Sequence, residues 1–374
     1  MSRILVVNGI GDAALTFRGP LLRDLVAAGH EVILSTPRPE QADPSAIERG
    51  ASALGARLVF SPLDRTSLDP RAERRARRHY EELIGSTRPD AVFASNPKPV
   101  FHVLPIAARL GVRRRVAMIT GLGYAFIGSS LRARVLRLVA CRLYRRALAA
   151  ATAIVFQNED DRAELARRGV LPNGTPMVTV GGSGVDLDQF PMRALSEGPA
   201  RFLMIARLLG DKGVREFAAA ARLVRAAHPE CSFRLVGWID GNPAAIRRDE
   251  LDGWVREGLL TCPGRLDDVR DELAAAHVFV LPSYREGMPR STLEALATGR
   301  AIVTTDVPGC RETVIPGENG LLVPPRDPRA LAAACERLLG DREALGRMGA
   351  ASRKLAESRF DVRAVNATLV GLLT

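Results

Sequence analysis

A chain of 374 residues outgrows a single ordinary core, so two α/β domains with a cleft between them are expected. Hydrophobic residues at 47% and charged residues at 25% exclude collagen-like and disordered classes. A net charge of +11 and a pI near 10.2 attract anionic partners without choosing among nucleic acid, phospholipid and phosphorylated substrate.

Arg3-Ile-Leu-Val-Val reads as a buried strand that ends at Asn8-Gly-Ile-Gly11, and Leu15 to Ala28 has helical spacing that stops at Gly29. The opening apolar run of four residues is too short for a signal-peptide core or a membrane span, so the protein is expected in the cytoplasm. Strands are then predicted at His30-Glu-Val-Ile-Leu-Ser, Ala56-Arg-Leu-Val-Phe, Ala91-Val-Phe-Ala, Arg115-Val-Ala-Met-Ile and Ala153-Ile-Val-Phe. Short apolar strands alternating with helices indicate a parallel sheet covered on both faces. A glycine-rich crossing follows at Val178-Thr-Val-Gly-Gly-Ser-Gly-Val-Asp, and Asp188-Gln-Phe-Pro completes it. The second cycle of strands runs through Arg201-Phe-Leu-Met-Ile, Ser232-Phe-Arg-Leu-Val, His277-Val-Phe-Val-Leu and Ala301-Ile-Val-Thr-Thr. Two such sheets facing each other place the loops after their strands on one cleft. The expected domains are 1–182 and 183–359.

The densest chemical signal lies in Glu286-Gly-Met-Pro-Arg-Ser-Thr-Leu-Glu294. A strand ends at Leu281, and Pro289 suits the first turn of a helix that ends at Gly299. The free amides and positive end of that helix suit a diphosphate, while Gly287 lets the backbone approach closely. Glu294, inside the helix, suits the hydroxyls of a ribose; Glu286, on the loop, suits those of a donor sugar. Met288 and Pro289 belong to the same donor site. Arg207 and Lys212, in Arg207-Leu-Leu-Gly-Asp-Lys212-Gly at another strand end, supply a planar fork and a point charge for phosphate oxygens. Together they suit stabilisation of a departing nucleoside diphosphate, with Arg265 as a third basic candidate.

On the first domain, Gly9-Ile-Gly11-Asp-Ala-Ala14 imitates a dinucleotide fingerprint, yet the second strand ends Leu34-Ser-Thr-Pro without an acid for a ribose. Gly11 is expected to approach the donor phosphates, and Arg18 and Lys98 to meet an acceptor phosphate. Asp186-Leu-Asp188 imitates a metal-binding D-x-D, but its place in the crossing favours a turn. The five cysteines, Cys141, Cys231, Cys262, Cys310 and Cys335, are far apart and form no C-x-x-C pair, which suggests a reducing compartment. No two histidines have ligand spacing, and no metal is expected. Six arginines and no acid between Leu131 and Ala151, interleaved with leucine and valine, suit an anionic bilayer surface. With aromatics at 5%, nucleic acid is not expected as a partner.

The R-x4-K-G pattern of Arg207 and Lys212, the Glu286/Glu294 pair, Gly182-Ser-Gly-Val-Asp and Val307-Pro-Gly-Cys-Arg-Glu-Thr-Val with Gly317-Glu-Asn-Gly-Leu-Leu-Val-Pro-Pro resemble a retaining glycosyltransferase of family 4. The resemblance is dense over 178–325. It implies an α/β GT-B fold of two facing Rossmann-like domains, a donor held mainly by the C-terminal one, metal-independent transfer, and a last helix over 360–374 that returns to the N-terminal domain. Met204-Ile-Ala-Arg through Phe217, Leu235-Val-Gly-Trp-Ile-Asp-Gly-Asn-Pro243 and Thr120-Gly-Leu-Gly-Tyr-Ala-Phe resemble, more closely, bacterial enzymes that add a hexose or N-acetylhexosamine. Their donor is often UDP-N-acetylgalactosamine and their acceptor an undecaprenyl-diphosphate-linked sugar. That implies no cofactor beyond the nucleotide sugar, and a peripheral location on the inner face of the membrane. Many members carry a histidine near the donor sugar; the comparable loop here, with Gly121 and Gly123 placed beside the acceptor, has none, and His102 is no obvious replacement. A nucleotide-sugar epimerase or hydrolase of the same fold, a different acceptor, a membrane-binding protein with a dead site and a nicotinamide oxidoreductase remain as rivals.

Overall fold

Proline and aspartate punctuate this chain, and they set where its helices begin. The computed structural model describes residues 1–374 except 66, 68, 129, 240 and 243, so Asp240 and Pro243 of the segment that starts at Leu235 lie outside the described residues. Asp43, Asp69 and Asp327 each accept a backbone N–H of the helix that follows, and Pro44, Pro70 and Pro328 occupy the first helical position, where no amide is needed. The chain divides into two units, one of residues 1–183 with 362–374 and one of residues 184–361.

The first unit runs β1 (Arg3–Asn8), α1 (Ala14–Ala27), β2 (Glu31–Pro37), α2 (Pro44–Ala53), β3 (Arg57–Ser61), α3 (Pro70–Thr87), β4 (Ala91–Ser95) and α4 (Pro97–Arg109). It continues with β5 (Arg114–Ile119), α5 (Leu131–Leu148), β6 (Ala153–Phe156), α6 (Glu159–Arg167) and β7 (Met177–Thr179). The seven strands are parallel in the order β3-β2-β1-β4-β5-β6-β7. Their side chains feed two cores, one on each face. Leu5, Val7, Val92 and Ala117 meet α3, α4 and α5 residues, while Ile4, Val6, Phe93 and Val116 meet α1 and the C-terminal helix.

The second unit runs β8 (Arg201–Ile205), α7 (Val214–Ala227), β9 (Ser232–Val236), α8 (Arg248–Arg256), β10 (Thr261–Gly264), α9 (Arg270–Ala275) and β11 (Val278–Leu281). Then follow α10 (Arg290–Ala297), β12 (Ala301–Thr305), β13 (Gly320–Val323), α11 (Pro328–Arg337) and α12 (Arg342–Arg359). Its six parallel strands are ordered β10-β9-β8-β11-β12-β13, the doubly wound arrangement in which order reverses between β8 and β11. The last helix, α13 (Val362–Leu373), belongs to the first unit. Val365, Leu369 and Leu373 are buried there, and Asn366 Nδ2 donates to Asp24 Oδ2 of α1 at 2.6 Å.

Three strands escape the periodicity that reveals the others. β7 and β10 are short edge strands, and Pro263 interrupts the second of these. β13 opens at Gly320, where a Cβ would lie 2.0 Å from the Ile302 carbonyl oxygen, so the glycine that masks the strand in sequence is what lets it pair with β12.

Candidate active site at the strand-order reversal of the second unit

Where β8 and β11 end side by side, their loops are pressed together by two glycines. Gly213, at φ +75°, follows a short turn over Gly210–Lys212; a Cβ there would sit 2.1 Å from the Pro282 carbonyl oxygen. Gly309, at φ +82°, packs closely against Glu286, and a Cβ there would lie 2.4 Å from the Glu286 carbonyl oxygen. The amide of Tyr284 donates to the Asp211 carbonyl at 2.8 Å, and that of Glu286 to Pro308 at 3.0 Å. This packing brings Lys212 and Glu286, residues 74 apart in sequence, to an Nζ–Oε1 distance of 2.6 Å. The Ser283 hydroxyl donates to the same oxygen at 2.8 Å. An ammonium and a carboxylate, both largely buried, at a strand-order reversal suit a ligand that carries both phosphate and hydroxyl groups.

Glu294 lies one turn into α10, only 8% exposed, and accepts from Arg290 Nε at 2.8 Å. Burial raises its pKa, and the guanidinium beside it offsets part of that rise. Pro289 stands one residue ahead of the helix as its cap position rather than within the first turn, and its carbonyl takes the amides of Thr292 and Leu293. Gly287 and Pro289 are buried, and Met288 packs against the core of the unit. Ser291 Oγ ties the helix start to the end of β8 through the Ile205 carbonyl at 2.9 Å. Arg207 is part-exposed on the loop after β8. Arg265 stacks over Trp238 at 5.3 Å and lies 3.7 Å from an Asp267 oxygen, on the loops after β10 and β9. Cys310 is buried beside this site with its thiol pushed up to about 12 by desolvation, which leaves it a packing group rather than a nucleophile.

The first unit treats its sequence-selected residues differently. A Cβ on Gly11 would lie 2.5 Å from the Pro37 carbonyl oxygen, so close packing of the β1 and β2 ends already requires this glycine. Arg18 does not meet an open surface: it is 3% exposed, stacks over Phe93 at 5.2 Å and points an Nη at the Met118 sulfur at 3.1 Å. Lys98 is likewise committed, its ammonium bonded to the carbonyls of Asp64 and Ser67 and to Glu73 Oε1 at 2.5 to 2.7 Å. An ammonium has three donors, and all are used here. In this conformation neither Arg18 nor Lys98 offers a phosphate-binding group, which corrects the acceptor role expected of them. Glu73 also holds His102 Nε2 at 2.7 Å, and burial lowers that imidazole's pKa. Gly121 and Gly123 have φ +109° and +72°, which suit a tight loop after β5. Asn96 links that loop to β1, bonding the Thr120 hydroxyl and the Gly9 amide. Asp186 Oδ1 accepts the amides of Asp188 and Gln189, the turn anticipated for the D-x-D imitation.

Several residues of the second-unit site carry no sequence motif of their own. Tyr284 bonds Glu216 through its hydroxyl at 2.7 Å and is covered by Arg326 at 4.5 Å, so the Glu286 loop is anchored from two sides. Ser283 becomes visible only through its bond to Glu286. Arg290 had a legible signal, since an arginine four residues before a glutamate on a helix is a standard pair.

Comparison with known proteins agrees with this architecture. Residues 21–189 match Glycosyltransferase Family 4, and residues 199–341 match Glycosyl transferases group 1. A relative in Campylobacter jejuni is 27% identical over 91% of this chain and 90% of its own length. It is the N,N'-diacetylbacillosaminyl-diphospho-undecaprenol alpha-1,3-N-acetylgalactosaminyltransferase. Sucrose-phosphate synthase from Thermosynechococcus elongatus superposes with a TM-score of 0.81 at 22% identity, covering 100% of this chain and 98% of that one. Anabaena Alr3699/HepE in complex with UDP and glucose gives 0.76 at 16% identity, covering 99% of each chain. With two doubly wound parallel sheets and both halves matched in order, the chain belongs to the family 4 glycosyltransferases of the GT-B fold.

Proposed function

We propose that this glycosyltransferase moves a hexose or N-acetylhexosamine from a UDP-sugar, with retention and without a metal, to a polyprenyl-diphosphate-linked saccharide. N-acetylgalactosamine is the first donor to try. The acceptor class follows the named reaction of the Campylobacter relative, and a lipid-linked acceptor sets the reaction at the inner face of the membrane. The observation that carries the reading is the Lys212–Glu286 pair at the reversal between β8 and β11.

In this reading the nucleoside diphosphate lies along the start of α10. Glu294 takes the ribose hydroxyls and Glu286 the hydroxyls of the sugar to be transferred. As the anomeric carbon–oxygen bond breaks, charge gathers on the terminal phosphate, and Lys212 and Arg207 stabilise it. The acceptor oxygen bonds the anomeric carbon on the face the diphosphate leaves, and its proton passes to a phosphate oxygen.

The test is a donor panel with a synthetic prenyl-diphosphate sugar as acceptor, run with and without EDTA. Acceptor-dependent transfer from one UDP-sugar that survives EDTA is expected. Release of free sugar at the same rate without acceptor would replace the reading with a hydrolase, and loss of activity in EDTA would remove the metal-free step.

A further inference from the structure

Arg290 opens α10 and meets Glu294 one turn later, its Nε donating to Oε1 at 2.8 Å with the two side chains 14% and 10% exposed. Stability gives this pair little reason to exist. A cation at the first helical position lies at the positive end of the helix dipole, and an arginine four residues ahead of a glutamate is the weaker of the two orders for such a pair. No acid occupies the first turn of α10 to offset that charge. Taking both groups out of water costs more again, since a buried ion pair often does no better than apolar side chains of similar volume.

The chemistry asked of Glu294 explains the arrangement. An ionised carboxylate accepts hydrogen bonds on both oxygens, whereas a protonated one spends an oxygen as a donor, and a pair of ribose hydroxyls needs the former. Burial pushes Glu294 toward the protonated form, and among the described residues Arg290 is the charge that opposes it. The elements packed against α10 direct their other charges elsewhere. β11 and β12 contain no charged residue. On α12, Arg353 is bonded to the carbonyls of Phe190 and Ala297 and to Glu357. On the short turn over Arg311–Thr313, Arg311 pairs with Asp306, Glu312 adds an acid, and the neighbouring Cys310 thiol stays protonated. Lys212 holds Glu286, and Arg207 stands on the loop after β8. We propose that Arg290 is a positioning residue of the donor site, which fixes the Glu294 carboxylate through the Nε–Oε1 bond and keeps it an acceptor for the ribose hydroxyls of the nucleotide. The proposal rests on the donor reading above and adds to it the residue through which Glu294 is made competent.

The affinity of the full chain for UDP is measured by calorimetry from about pH 6 to about pH 9 in the parent, Arg290→Met, Arg290→Lys, Glu294→Gln and the Arg290→Met/Glu294→Gln double variant. Titration of the UDP phosphate, near about pH 6, is common to all five and cancels in the comparison. At neutral pH Arg290→Met should bind UDP at least about tenfold more weakly than the parent, and the gap should narrow as rising pH ionises the carboxyl that has lost its partner. Arg290→Lys, which keeps the charge without the planar fork, should recover part of the loss. In the Glu294→Gln background, Arg290→Met should change the affinity by less than about threefold, because the group it acts through is gone. Parental affinity in Arg290→Met beside a weakened Glu294→Gln overturns the proposal and leaves the donor reading standing. A loss that persists undiminished at high pH, or is as large in the Glu294→Gln background, makes Arg290 a direct contact of the nucleotide and overturns it too. Unchanged affinity in Glu294→Gln, or no UDP binding by the parent, removes the donor reading itself and the proposal with it.

Discussion

Lys212→Met removes one charge and keeps most of the side chain's bulk. Lys212 and Glu286 are 16% and 15% exposed and 2.6 Å apart, so their gross attraction is about 6 kcal/mol at an effective dielectric of 20. Desolvation offsets much of this, and residual exposure screens the remainder, so stranding Glu286 should cost about 2 kcal/mol of stability. For a unit of this size the thermal midpoint falls by roughly 4–8 °C. The effect on turnover has a different origin. A fixed donor aimed at developing charge contributes about 2.7–4 kcal/mol to the transition state, or about 10²–10³ in kcat, while KM for the donor moves only a few-fold. Initial rates at saturating UDP-sugar, measured well below the melting range, separate this from the stability loss. Glu286→Gln in the same chain makes the pair neutral and should restore the midpoint but not the rate. A Lys212→Met rate within about threefold of the parent, or a double variant that regains both stability and rate, would refute a role for Lys212 beyond pairing Glu286.

Glu294→Gln should loosen nucleotide binding and tighten the fold at once. Because burial raises the Glu294 pKa in the folded chain above the ordinary value of 4.5, ionisation opposes folding: wild-type stability from this group is full below the ordinary value and is lost as pH rises through the folded one. The variant should therefore melt higher near pH 7.5, with the difference vanishing near pH 4, and calorimetry should show UDP affinity down by about 10–100-fold. An unchanged UDP affinity would remove Glu294 from the donor site. Lys98→Met should cost about 1–3 kcal/mol in a denaturant melt yet leave UDP affinity intact, since the ammonium ties Asp64 and Ser67 to Glu73. Gly213→Ala forces an unfavourable φ and a clash with Pro282, so a loss of at least about 2 kcal/mol is expected together with a kcat drop as large as that of Lys212→Met.

Much of the fold was legible because buried parallel strands leave runs such as Leu5-Val-Val and Phe279-Val-Leu, and because glycines such as Gly29 and Gly299 close helices at positive φ. β13 was not, since a strand that starts on a glycine for steric reasons looks like a turn. The second-unit site was also legible in outline. Strand ends marked the loops of Lys212 and Glu286, and the reversal of strand order between β8 and β11 brings those loops together. Arg18 and Lys98 show the limit of that inference. Both follow strand or turn signals like those of Lys212, but whether a basic side chain faces ligand or protein depends on partners distant in sequence, Met118 and Phe93 for one and Glu73 for the other. The same holds for Tyr284 and Ser283, whose roles are set by bonds to Glu216 and Glu286.

The central claim is that the nucleotide of the donor sits where β8 and β11 end. Amide hydrogen exchange of the full chain with and without UDP tests it most directly, since it needs no knowledge of sugar or acceptor. Slowed exchange is predicted over residues 207–213 and 284–294, with Asp64 and Ser67 unaffected. Protection confined to the first unit, or none in those two segments at saturating UDP, would contradict the account.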